Sequence, residues 1–134
     1  MRNLMIIALG FWALISMPAN AQNADAIKDV IGSQLEAFND RDVEAAWTHA
    51  SPFIKRLFGN SRNFGAMVER GYPMVWDNND VRFLELRSED GAPIQQVMLK
   101  DAQGNLHLLE YKMIETPQGW QIDGVQLVEL DLSA

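Results

Sequence analysis

Cysteine is absent from the 134-residue chain. That excludes disulfides, iron–sulfur clusters, zinc–thiolate sites, thiol nucleophiles and thiol-linked lipid anchors. Positive charge is scarce: 11 lysines and arginines stand against 18 acids, a formal charge of −7. A surface of that sign repels phosphate backbones and anionic bilayers, which argues against nucleic acid and membranes as main partners. Histidine occurs only as His49 and His107, on different elements and without a second ligand at a metal-binding spacing such as HExxH. Neither a metal nor any other cofactor is expected. Asp77-Asn78-Asn79-Asp80 lacks the glycine and the closing glutamate of a calcium loop and reads as a turn held by Asx hydrogen bonds.

The longest apolar run, Leu4 to Met17, follows Arg2 and covers about 14 residues, short of the ~20 that cross a bilayer as a helix. Pro18 ends it, and Ala19-Asn20-Ala21 supplies the small residues that a signal peptidase reads. Residues 1–21 therefore read as a signal peptide and residues 22–134 as one domain. The expectation is export, to a bacterial periplasm or the medium, with no membrane attachment after cleavage. Residues 1–21 hold one arginine and no acid, so the exported domain is more acidic still. Hydrophobic residues at 48% and charged residues at 22% are ordinary globular usage, so the chain can build a core. Without cysteine an exported domain depends on that core alone.

Apolar spacing divides the domain into a helical first half and a strand-rich second half. Ile27, Val30, Ile31, Leu35 and Phe38 recur at three- and four-residue steps, predicting a helix over about 25–39. Asp42 is placed to cap a second helix carrying Val43, Ala46, Trp47 and Ala50. Ser51-Pro52 starts a third, short one that stops at Gly59. Asn60 or Ser61 caps a fourth that runs through Phe64, Met67 and Val68 to Gly71. After Tyr72-Pro73 the pattern turns to four strands, at about 81–88, 93–100, 106–115 and 119–130. Glu89-Asp90-Gly91, Asp101–Gly104 and Pro117-Gln118-Gly119 separate them with hairpin turn chemistry, so successive strands pair antiparallel. The fold class is α+β, with N-terminal helices packed on one face of a sheet of about four strands. On the third strand His107, Leu109, Tyr111 and Met113 share the face expected to meet the helices. Leu106, Leu108 and Ile114 leave the outer face partly apolar, which points to a homodimer through the sheet or a covering segment.

These residues resemble the nuclear-transport-factor-2-like superfamily, the cone that includes ketosteroid isomerase. The resemblance lies in the helix–turn–helix Leu35-Glu36-Ala37-Phe38-Asn39-Asp40-Arg41-Asp42-Val43-Glu44-Ala45-Ala46-Trp47 and the closing strand Gly119-Trp120-Gln121-Ile122-Asp123-Gly124-Val125. Within that group the chain looks like the bacterial domain of unknown function 4864 family, through Ala50-Ser51-Pro52, Phe58-Gly59, Phe64, Met67-Val68 and Gly71-Tyr72-Pro73. The resemblance implies a pocket between a curved antiparallel sheet and the helices. It implies no mechanism.

Catalytic signatures are thin. No serine sits in a G-x-S-x-G elbow, and Ser33, Ser51, Ser61 and Ser88 suit helix, cap or turn positions. The glycine-bracketed Gly59–Gly65 lacks the Lys-Ser/Thr pair of a phosphate loop and reads as one helix end followed by another start. Isomerase chemistry needs a carboxylate base and a neutral donor converging in the pocket. His107 and Tyr111 are the inward donors, about 13 Å apart along the strand, and Asp77, Asp80 and Asp123 are the acids weighed with them. Phe64, Met67, Tyr72, Trp76, His107 and Tyr111 are the residues expected to line the pocket. The expected function is non-catalytic binding of an apolar small molecule or a protein partner. The alternatives are a lyase or isomerase using a His/Tyr/Asp set, or a structural homodimer module.

Overall fold

The computed structural model describes residues 19–130. Its order is α1 (Ala19–Asn39), α2 (Val43–Thr48), α3 (Pro52–Phe58), α4 (Ser61–Gly71), α5 (Pro73–Trp76), then β1 (Asn79–Glu89), β2 (Ala92–Lys100), β3 (Leu106–Thr116) and β4 (Gly119–Val128). The apolar run Leu4–Met17 lies outside the described residues. The expected cleavage point, after Ala21, falls in the first turn of α1, which begins at Ala19 instead of near Asp25.

Each helix starts and stops on local chemistry. Ile27, Ile31, Leu35 and Phe38 form the buried stripe of α1, and full burial of such side chains is worth about 1.5–3 kcal/mol each. The helix ends where Arg41 takes a φ of 59° and the Asp42 amide reaches back to the Ala37 carbonyl at 2.8 Å. Asp42 then caps α2, accepting from the Ala45 amide at 3.0 Å. Ser51 caps α3 through the Ile54 amide, and Gly59 ends it at a φ of 83° that favours glycine. Asn60 caps α4 through the Asn63 amide at 2.8 Å. The stretch after Tyr72, read from sequence as a rigid connection, is instead one helical turn. Pro73 stands at its first position, where the fixed φ suits a helix and no amide is needed.

Four strands form one antiparallel sheet in the order β1-β2-β3-β4, and the α+β expectation holds. The β1–β2 turn places Asp90 and Gly91 at positive φ, 51° and 81°, the pairing that matches strand twist. Register shifts in β1 and at Lys112/Met113 bend the strands they occupy. Val97, Leu99, Leu109, Tyr111, Met113 and Ile122 give the sheet a buried face, which meets the helical core residues Ile27, Ile31, Leu35, Phe38, Phe64 and Val68. The two halves are also joined through the backbone. Ile122 donates to the His49 carbonyl and accepts from the Ser51 amide, both at 2.8 Å. The Asx turn expected at Asp77–Asp80 is replaced by a longer-range tie: Asn79 and Asp80 already belong to β1, and buried Asn78 donates its Nδ2 to the Leu35 and Val75 carbonyls at 2.9 and 2.7 Å. Asn39 meets the same residue through its side-chain amide, so the end of α1 is tied to the start of β1. No described helix is long and apolar enough to cross a membrane.

Candidate functional site

A cavity of about 260 Å³ opens between α1, α3, α4 and the sheet. Phe38, Phe64, Met67, Val68, Val75 and Ile122 are among the apolar residues that line it. The packing that shapes it is largely aromatic: the Phe64 ring lies 5.8 Å from Phe38, 5.5 Å from Trp47 and 6.0 Å from Phe58, centroid to centroid. Phe53 and Leu57 of α3 border the opening and remain 53% and 62% exposed.

Few polar groups interrupt this wall. Tyr111 is fully buried, and its hydroxyl has no hydrogen-bond partner among the described residues. Burial, with Tyr72 adding to it, pushes the phenol well above its ordinary pKa, so the group is a neutral donor. The Tyr72 hydroxyl makes one long bond, 3.4 Å, to the Val125 carbonyl. Asp123 accepts from the Ser51 hydroxyl at 2.7 Å, while Ser51 still caps α3. Gln34 spends its Nε2 on the Ala46 carbonyl at 3.1 Å. The remaining carboxylates weighed from sequence are elsewhere: Asp77 pairs with Arg41, and Asp80 with Lys100 at 3.1 Å.

Four of the six expected lining residues meet at this cavity: Phe64, Met67, Tyr72 and Tyr111. The other two do not border it. Trp76 is half-buried, its ring 6.1 Å from Phe38 on one side and the Arg41 guanidinium 4.4 Å from its centroid on another. Arg41 also donates to the Trp76 carbonyl at 2.6 Å, so this aromatic secures the end of α1. His107 keeps the expected face of β3 but stands near its start, beside the β2–β3 turn. There its Nε2 lies 2.8 Å from Asp101 Oδ2, an acid not among those weighed. The same carboxylate accepts from the Gln103 and Asn105 amides at 2.9 Å. Its imidazole partner and these amides hold Asp101 down at about 2, against an ordinary 3.8. The pair closes a hairpin. It does not face the cavity.

Sequence reasoning passed over Phe53 and Leu57, though a signal existed. On α3 Ile54 and Phe58 form one apolar pair four residues apart, and Phe53 and Leu57 form a second, more apolar surface than packing needs. Among the described residues no cluster of three or more His, Cys, Asp or Glu side chains can hold a metal ion.

Helices layered on one face of an antiparallel sheet, with a carbon-lined cavity between, define a small α+β domain. The chain belongs to the family described as Domain of unknown function (DUF4864), whose family model matches residues 20–133. No curated protein and no solved structure matches it.

Proposed function

We propose that this protein is an exported, non-catalytic binding module whose cavity takes a small, mainly apolar molecule carrying one polar group. The observation that carries the reading is the cavity itself, about 260 Å³ and walled almost wholly by carbon, with the Tyr111 hydroxyl sealed in that wall and unpaired among the described residues. Unpaired burial of such a group costs about 1–3 kcal/mol, and a guest whose acceptor reached the hydroxyl through a small shift of the wall would remove that cost. The volume supports a guest of more than one ring, since an apolar cavity of about 150 Å³ already admits benzene. The order of helices and strands is compatible with the nuclear-transport-factor-2-like cone, in which such a cavity has a place. Export is supported by the apolar run Leu4–Met17 and the small residues Ala19 and Ala21.

Titration with the neutral fluorophore N-phenyl-1-naphthylamine tests the reading. A saturable rise in emission is expected, reduced by Val68→Trp, which fills the cavity. Absence of saturable binding overturns it. An isomerase-type enzyme remains a second reading because Asp123 and Tyr111, a carboxylate and a neutral phenol, border the same cavity. His107 has no part in that version.

A further inference from the structure

We infer that the exposed face of α3 is a docking surface for an anionic phospholipid bilayer, from which the cavity is loaded. The net charge argues against an anionic surface for the molecule as a whole, yet the charge is unevenly distributed. From Ala45 to Val68 the chain contains no acid, and it contains Lys55, Arg56 and Arg62. Phe53, Arg56 and Leu57 stand at i, i+3 and i+4, so one helical face presents two apolar side chains and a guanidinium. Both apolar side chains are more than half exposed. They also border the cavity opening, where Asp123 is the only acid and already accepts from Ser51.

Charge selects the occupant. A symmetric pair of copies meeting through this face would bring two guanidiniums into one interface with no acid from residues 45–68 to pair them, so self-association is disfavoured. A bilayer of anionic lipid complements the guanidinium and accepts Phe53 and Leu57 into its boundary region, where apolar area and basic charge act together. It is also the phase in which an apolar guest is concentrated. Loading from the bilayer rests on the preceding reading of the cavity as a site for an apolar guest; docking of α3 does not.

The cysteine-free chain allows a single label to be placed at will. Full-length protein carrying Leu57→Cys, tagged with an environment-sensitive nitrobenzoxadiazole, is mixed with phosphatidylglycerol or phosphatidylcholine vesicles. Ala102→Cys in the exposed β2–β3 turn serves as control. A blue shift with severalfold brightening is expected at position 57 with phosphatidylglycerol, largely lost at high salt. Adding Arg56→Gln should weaken it about fivefold. The control position should not respond. The proposal is overturned if position 57 is silent with phosphatidylglycerol, if both positions respond alike, if phosphatidylcholine works equally well, or if the shift follows protein concentration without vesicles. Naphthylamine binding without vesicles reads the cavity separately, so a failed cavity and a failed docking face give different results.

Discussion

At Tyr111 a phenol is buried with no acceptor among the described residues, an arrangement that lowers stability by about 1–3 kcal/mol in the free protein. Tyr111→Phe should therefore leave the melting temperature unchanged or raise it. The same substitution should weaken a guest that bonds to the hydroxyl by about fivefold, the equivalent of one ordinary hydrogen bond. A melt and a titration on one preparation check both halves, and opposite signs in the two are the expected result. Asp101 makes a second prediction at this scale. Its carboxyl is held at about 2 by His107 and the turn amides, below its ordinary 3.8. Between those values the unfolded chain binds the proton and the folded one does not. Its contribution is thus complete above about pH 4 and is lost as pH falls through about 2. Urea midpoints measured from about pH 5 downward should fall steeply in the wild type and less so in Asp101→Asn. The sequence made visible neither the unpaired hydroxyl of Tyr111 nor the partner of Asp101. Asp101 reaches His107 only because the hairpin pairs Leu99 with His107 and folds Asp101 back across the turn.

At the scale of elements the helix caps and hairpins were legible because their chemistry is local. Asp42, Ser51-Pro52, Asn60 and the Asp90-Gly91 turn each act within a few residues of themselves. The single turn α5 was not legible, since four residues carry no period to read. Trp76 shows the cost of that blind spot: it looked like a pocket or core aromatic, but it lies half-exposed under Arg41. Trp76→Ala should accordingly fall short of the roughly 3–5 kcal/mol lost with a core tryptophan. The glycines of α4 give a sharper test of how elements meet. A Cβ on Gly65 would lie 2.6 Å from Val43 Cγ1, where α2 crosses α4, and 3.2 Å from Val43 Cβ. Val43 is short and β-branched and has little freedom to yield. Gly65→Ala should destabilise by about 1–3 kcal/mol. Gly71 meets nothing within 4 Å of an added Cβ, so Gly71→Ala in the same helix should be neutral or mildly stabilising. Thermal melts of the two variants side by side separate close approach from helix propensity.

For the whole molecule, the layer order was readable from apolar spacing, whereas the cavity depends on which side chains of distant elements converge. Phe64, Met67, Tyr72 and Tyr111 were foreseen because a helix face, the exit from that helix and a strand face were assigned correctly. Val75 entered through tertiary arrangement alone, whereas Phe53 and Leu57 had their signal in the second apolar pair of α3. The remaining question at this scale is where the molecule works, and it turns on residues 1–21. The described core begins at Ile27, so processing before Gln22 removes no side chain of that core and shortens α1 only at its first turn. A chain so processed should retain the packing that stabilises the domain, because the stripe Ile27, Ile31, Leu35 and Phe38 is untouched. Expression of the full chain in a bacterial host should yield protein in the periplasmic fraction with Gln22 at its N-terminus, read by intact mass or N-terminal sequencing. Substituting Ala21 with a bulky residue should block processing and leave the precursor with the inner membrane, because the peptidase site accepts only small side chains there. Recovery of an unprocessed wild-type chain from the cytosol would remove the case for export, while leaving the cavity and its Tyr111 test where they stand.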